Sequence, residues 1–120
     1  MKEIFAIIRP GKDRETKEAL AKIGCFTFTS LRVKGRGRQR GLRYTASTAQ
    51  GSASLQPATM QFLPKKMLYM VVSDRQIKPA IQAIIRINQT NHYGDGKIFV
   101  LGANEARRIR TGEKGEAALL

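Results

Sequence analysis

Between Lys2 and Arg9 the chain sets apolar side chains on both sides of an extended segment. Ile4, Ala6 and Ile8 share one face, and Phe5 and Ile7 share the other. Such a strand can leave neither face in water, so it belongs in a sheet that is covered twice. The same two-sided character returns in Phe62-Leu63 and Met67 to Val72, read as the third strand. Any fold for this chain must supply helices for one face and something else for the other.

The helices are legible. Pro10-Gly11 ends the first strand, and a helix follows from Asp13, its N-cap, to Lys22 or Ile23, with Gly24 as the stop. Thr16, Leu20 and Ile23 form its inner face, and Asp13/Lys17 and Glu18/Lys22 stand at i,i+4. The second strand runs from Thr27 to Arg36. From Arg32 a cation recurs at every second residue through Arg40, on one face while the chain stays extended. Residues 42–61 are rich in Ser, Thr, Ala, Gln and Gly; a connection of this length without structure of its own is functional or disordered. Ser73-x-x-Gln76 reads as a capping box opening a second helix, with Ile77, Ile81, Ile84 and Ile85 as its buried stripe. Pro79 implies that this helix begins later or bends there. A Gly94-Asp95-Gly96 turn leads into a strand over Lys97–Leu101. Arg107 to Arg110 reads as a short extended piece, and a small polar tail runs over 111–120. The order is βαββαβ, an α+β ferredoxin-like sandwich in a single 1–120 domain. Its helices cover one sheet face, so other subunits are expected to cover the second.

Charge narrows the partners. The formal net charge is +13, which calls for anionic ligands: nucleotides, nucleic acid, small di-acids or an acidic protein surface. Cys25 is the single cysteine and reads as a small buried hydrophobe. No apolar run spans a bilayer, and Met1-Lys2-Glu3-Ile4 lacks a signal-peptide core. With one cysteine no intrachain disulfide can form, so a cytoplasmic home is expected.

The chemistry concentrates at Gly94-Asp95-Gly96-Lys97. Two glycines permit positive φ and leave room for a close-approaching ligand, exposed amides form an anion cradle, and Lys97 adds a charge. No helix dipole assists, because a strand follows; Arg38, Arg108 and Arg110 are the cations expected to complete a phosphate site. If 107–110 is extended, Arg108 and Arg110 point one way and Arg107 the other. The plain readings are a tight helix-to-strand turn and a solvated basic edge. Gln39 is a neutral acceptor for a cation or metal within a Gly-rich basic segment, Lys65 stands at the base of the long loop, and His92 reads as a surface loop residue.

Taken in order, Gly35-Arg36-Gly37-Arg38-Gln39-Arg40-Gly41, Phe62-Leu63-Pro64-Lys65, Gly94-Asp95-Gly96-Lys97-Ile98-Phe99-Val100 and Arg108-Ile109-Arg110-Thr111-Gly112-Glu113 resemble the PII signal-transduction proteins. The likeness covers nearly the whole chain, including Ala6-Ile7-Ile8-Arg9-Pro10. It implies a regulator rather than an enzyme: a trimer with a long T-loop, residues 37–62, between strands 2 and 3. It also implies adenine-nucleotide sites (ATP or ADP) between subunits. By resemblance the nucleotide meets Ile7, Thr29, Gly35, Gly37, Arg38, Val71, Gly94, Asp95, Gly96, Lys97, Arg108 and Arg110. 2-Oxoglutarate would sit at Gln39 and Lys65, with Gln39 also meeting Mg bound to ATP and the keto acid. No tyrosine lies in 57–61, where uridylylated members carry one, and Thr90-Asn91-His92 departs from the family's Thr-Gly-Lys. The long tyrosine-free loop is most similar to the second member of the PII pair of nitrogen-fixation operons. That likeness implies a mixed oligomer with a sister PII protein, or a homotrimer, and inhibition of nitrogenase relieved by ATP and 2-oxoglutarate. A PII regulator of an ammonium transporter is the nearer alternative. An RNA-binding module of the same topology lacks support from any RNP-type aromatic pattern; Phe5, Tyr69 and Phe99 read as core. A phosphoryl-transfer enzyme using His92 lacks carboxylates and an acid/base partner.

Overall fold

The structure is a computed structural model that describes residues 1–37 and 62–120. Four strands, β1 (Lys2–Ile8), β2 (Thr29–Gly35), β3 (Leu63–Val72) and β4 (Gly96–Gly102), form one antiparallel sheet in the order β2-β3-β1-β4. Helices α1 (Asp13–Lys22) and α2 (Asp74–Asn88) connect them in βαββαβ order and pack on one face. This is the expected ferredoxin-like α+β sandwich. Arg38, Gln39 and the rest of the long connection lie outside the described residues.

Two-sided strands make the two-layer result intelligible. On the helix side Ile4, Ala6 and Ile8 of β1 meet Leu68, Met70 and Val72 of β3, beneath Leu20, Cys25, Ala80 and Ile84. Burial of this continuous apolar set is the main stabilising term. Cys25 is buried there as expected, and burial pushes its thiol pKa up. The opposite face carries Phe5, Ile7, Met67, Tyr69 and Val71, with Leu31 (47% exposed) and Phe99 (52%) beside them. Phe5 and Tyr69 do touch, with ring centroids 4.8 Å apart. Yet these aromatics belong to the uncovered face rather than to the buried core, so the core reading of Phe99 in particular is corrected.

Several boundaries shift for local reasons. Pro10–Lys12 forms a 3-10 turn before α1, which makes Lys12 the N-cap and puts Asp13 inside the helix. There Asp13 pairs with Lys17 at 2.9 Å, as the spacing predicts, whereas Glu18 is taken from the other side by Arg14 at 2.9 Å. The stop at Gly24 is as read: φ is +83°, and the Cys25 amide donates back to the Leu20 carbonyl at 3.0 Å. Helix α2 begins directly after Ser73 and runs through Pro79, so the proline neither delays nor ends it. Ile85, expected in the buried stripe, is 45% exposed because Ala80, Ala83 and Ile84 face the sheet instead. Among the described residues, no helix is long and apolar enough to cross a membrane.

Candidate functional site

The turn between α2 and β4 is tied inward by two cations from neighbouring strand ends. Arg9, the first residue after β1, donates through Nη1 to Asp95 Oδ1 at 2.6 Å and through Nη2 to the Tyr93 carbonyl at 3.0 Å. Lys65, near the start of β3, donates through Nζ to the Gly94 carbonyl at 2.7 Å. Asp95 also accepts from the Thr90 amide at 2.6 Å, from the Thr90 hydroxyl, and from the Asn91 amide at 3.0 Å. These hydrogen bonds, those from Thr90 first and the Arg9 guanidinium after them, hold the Asp95 carboxyl well below the usual carboxylate range. Asn91 takes a left-handed φ of +66° to close the loop. The segment 90–95 is therefore a set of backbone groups aimed by one carboxylate and two cations.

Gly96 is a glycine for a reason other than ligand access. Its φ is +116°, and a Cβ there would stand 1.9 Å from the Ile7 carbonyl oxygen. Pairing of Gly96 with Ile8 brings β1 backbone into that space. Lys97 follows on the open face, exposed, with no ion pair among the described residues.

A cleft of about 620 Å³ opens beside this turn. Ile7, Gly35, Gly37, Lys65 and Gly94 to Lys97 line it, together with His92 and Phe99. Its size suits a nucleotide-sized ligand. Lys65 stands there partly desolvated beside Arg9, and both effects, burial first, push its pKa down. Asp95 offsets part of this crowding of positive charge, and an incoming anion would relieve the rest. Among the described residues no group of three or more His, Cys, Asp or Glu could hold a metal ion.

The remaining expected residues lie elsewhere. Thr29 and Val71 share the open face, but Val71 pairs with Glu3, four residues from Ile7 along β1, or about 13 Å away. Arg108 and Arg110 follow β4 on a turn instead of the extended piece predicted for 107–110. Arg107 bridges Lys114, Ile109–Thr111 form the tip, and the Gly112 amide donates to the Arg108 carbonyl at 2.7 Å. The alternation that put Arg108 and Arg110 on one side therefore does not apply. Arg108 is engaged by the Glu113 carboxylate and by the carbonyls of Ala117 and Leu120, whereas Arg110 is exposed at the tip. Neither arginine lines the cleft of its own chain.

Arg9 was missed as a site residue by the sequence reading. Its signal was available: a lone cation closing a strand that is apolar on both faces. His92 is the exposed loop residue expected, and it also borders the cleft.

The chain is thus a ferredoxin-like subunit with an uncovered apolar face and a cationic, glycine-lined cleft at one end. The family described as "Nitrogen regulatory protein P-II" matches residues 1–113, and the chain belongs to it. It is thus a regulatory signal-transduction protein and not an enzyme. Among its relatives is the "Nitrogen fixation nifHD1 region GlnB-like protein 2" of Methanosarcina barkeri, 43% identical with 99% of each chain covered. The "Nitrogen fixation nifHD region GlnB-like protein 2" of Methanothermobacter marburgensis is 39% identical over 99% of this chain and 100% of its own. The "Nitrogen regulatory protein P-II" of Rhodospirillum rubrum is 44% identical over 99% and 100%.

Proposed function

We propose that this PII protein senses ATP or ADP together with 2-oxoglutarate, and that its T-loop regulates nitrogenase, inhibiting it when nitrogen is sufficient. The inward-tied turn at 93–95 is the observation that supports this reading most. With the Tyr93 and Gly94 carbonyls and the Asp95 carboxylate engaged on Arg9, Lys65 and Thr90, amides and Lys97 remain to meet phosphate. Asp95 acts as a positioning group in this reading, since a carboxylate facing phosphate would repel it. Ile7, Gly35 and Gly37 flank the nucleotide from the same chain. Arg38, outside the described residues, is assigned to it as well. Thr29, Val71, Arg108 and Arg110 reach the nucleotide from a neighbouring subunit, with Arg108 exchanging its tail acceptors for phosphate.

Lys65 and Gln39 receive the di-acid, and Arg9 supplies a second cation. Mg would be held by Gln39 with phosphate and keto-acid oxygens, an oxygen-only set that suits it, and would screen the phosphate charge. Since Lys65 holds the Gly94 carbonyl at 2.7 Å with one of its three N–H donors, a di-acid met by the other donors keeps that tie, so both effectors favour one arrangement of the turn. Linkage then makes the coupling between the two effectors reciprocal. Calorimetry tests it: Mg-ATP raises 2-oxoglutarate affinity, and Lys65→Ala abolishes the di-acid response while keeping much of the nucleotide binding. An affinity for 2-oxoglutarate that ignores Mg-ATP contradicts the coupling.

Relatives named for nitrogen-fixation regions favour nitrogenase as target and a sister PII protein as partner; a cytoplasmic location goes with that reading. The Rhodospirillum rubrum and Bradyrhizobium diazoefficiens relatives, both 44% identical and named only for nitrogen regulation, leave a broader second reading, a regulator of an ammonium transporter or another nitrogen-metabolism target. Pull-down from ammonium-fed cells with and without 2-oxoglutarate separates the two.

A further inference from the structure

Acidic and basic residues are unevenly spread along this chain. No Asp or Glu occurs between Glu18 and Asp74, a stretch that contains β2, β3 and the long connection between them. Any carboxylate that offsets the cations of this stretch must come from elsewhere in the fold. On the helix side of the sheet Asp13 does so for Lys66, at 3.9 Å, while held more closely by Lys17 at 2.9 Å. Lys66 pairs with Arg32 in the β2–β3 register and Pro64 pairs with Lys34, so Arg32 and Lys34 point to that same side. Arg36 continues the alternation. All three are exposed, and none makes an ion pair among the described residues. Residues 38–61 contain no carboxylate that could serve them. Neighbours in the row are separated by two residues of strand, about 7 Å, and β2 is the outermost strand of the sheet.

We propose that Arg32, Lys34 and Arg36 form a docking row for an acidic segment of a partner protein, on the helix side of β2. The row does not depend on the ligands proposed above, although Lys34 and Arg36 also border the ligand cleft and so place a docked partner beside it. Charge complementarity selects the partner. Like charges this close repel one another, and carboxylates set among them relieve that repulsion. The spacing of the row equals that of alternate residues on an extended peptide, so Asp or Glu at every second position meets one cation each. Guarding a sheet edge against self-pairing takes a charge or two; three in line, with no acid among them, go beyond that need. Phe62 and Arg36 lie one step beyond the Gly35–Leu63 pair, and Phe62 is 62% exposed, an apolar anchor beside an arginine as protein interfaces use. One aromatic is not the succession of stacking side chains that single-stranded nucleic acid calls for.

The test measures the fluorescence anisotropy of a labelled peptide of alternating Glu and Ser titrated with the full chain, in the absence of nucleotide. A variant carrying Arg32→Glu, Lys34→Glu and Arg36→Glu is compared with one carrying Arg75→Glu, Lys78→Glu and Arg86→Glu, which changes net charge equally at exposed positions of α2. The row variant is expected to bind the peptide about tenfold more weakly than the α2 variant does. Equal weakening in the two would mean that the peptide reads net charge alone, and would overturn the proposal. So would dependence on the row shown by a single-stranded oligothymidylate, or by vesicles of phosphatidylcholine and phosphatidylserine, in place of the peptide. Neutral substitution with Arg32→Gln, Lys34→Gln and Arg36→Gln covers the case in which charge reversal unfolds the chain. With a native circular dichroism spectrum, that variant is expected to lose most of the peptide affinity, and wild-type affinity in it would overturn the row.

Discussion

At Gly96 and Asp95 single atoms decide local structure. A methyl group at Gly96 would meet the Ile7 carbonyl oxygen at 1.9 Å on a backbone already at φ +116°. Gly96→Ala should therefore cost about 1–3 kcal/mol from conformation alone, with the clash in addition. Urea unfolding checks it, and an unchanged midpoint contradicts it. Asp95 makes a pH prediction. Its folded pKa is depressed, so its contribution is present above the unfolded value of about 4 and is lost as pH falls through the folded one. The urea midpoint should drop from about pH 5 downward, with Asp95→Asn flatter over that window and about 1.5–3 kcal/mol less stable at pH 7. Parallel curves would show that Asp95 is not the titrating hub. The Gly94–Lys97 stretch was legible as a special turn from its glycines alone. That Asp95 faces inward, and that Arg9 reaches it across 86 positions in sequence, depends on strand ends meeting in space. No spacing rule in the sequence encodes that meeting.

Among the elements, α2 separates what pattern encodes from what packing decides. Ser73 sits at the N-cap but makes no side-chain cap bond; its hydroxyl turns to the Gln76 side chain at 3.3 Å. Ser73→Ala should thus cost well under the ~1 kcal/mol of a working cap. Pro79, exposed within the helix, removes one backbone donor. Pro79→Ala should raise stability by about 1–3 kcal/mol in thermal or urea unfolding, and a loss would show that the proline is packed for a purpose. The strand and helix order was readable because periods 2 and 3.6 alternate cleanly along the chain. The orientation of α2 was less so. Small Ala80 and Ala83 let the helix sit close to the sheet and roll Ile85 outward, a packing choice that an isoleucine count cannot reveal. Extension of 107–110 failed for a related reason: Glu113 and the Gly112 amide fold the segment back on Arg108.

For the molecule as a whole, one apolar face is left uncovered by the chain, and the proposed ligand site calls on arginines that do not line its cleft. Leu31, Phe99 and Leu101 stay exposed opposite the helices, an apolar surface of the kind that another subunit covers. The family likeness supplied the expectation of a trimer, whereas charge and two-sided strands alone supplied only the expectation of some oligomer with an anion. The most direct test mixes two defective chains. Lys97→Ala spoils the cradle and Arg110→Ala spoils the hairpin tip, so each chain alone should bind Mg-ATP at least tenfold more weakly than wild type. Calorimetry on oligomers reassembled from an equal mixture should recover wild-type affinity at about one site in four, because a site between subunits can draw its two intact halves from different chains. No recovery, with mixed oligomers demonstrated by mass spectrometry, would mean that the site lies within one chain, contrary to this account.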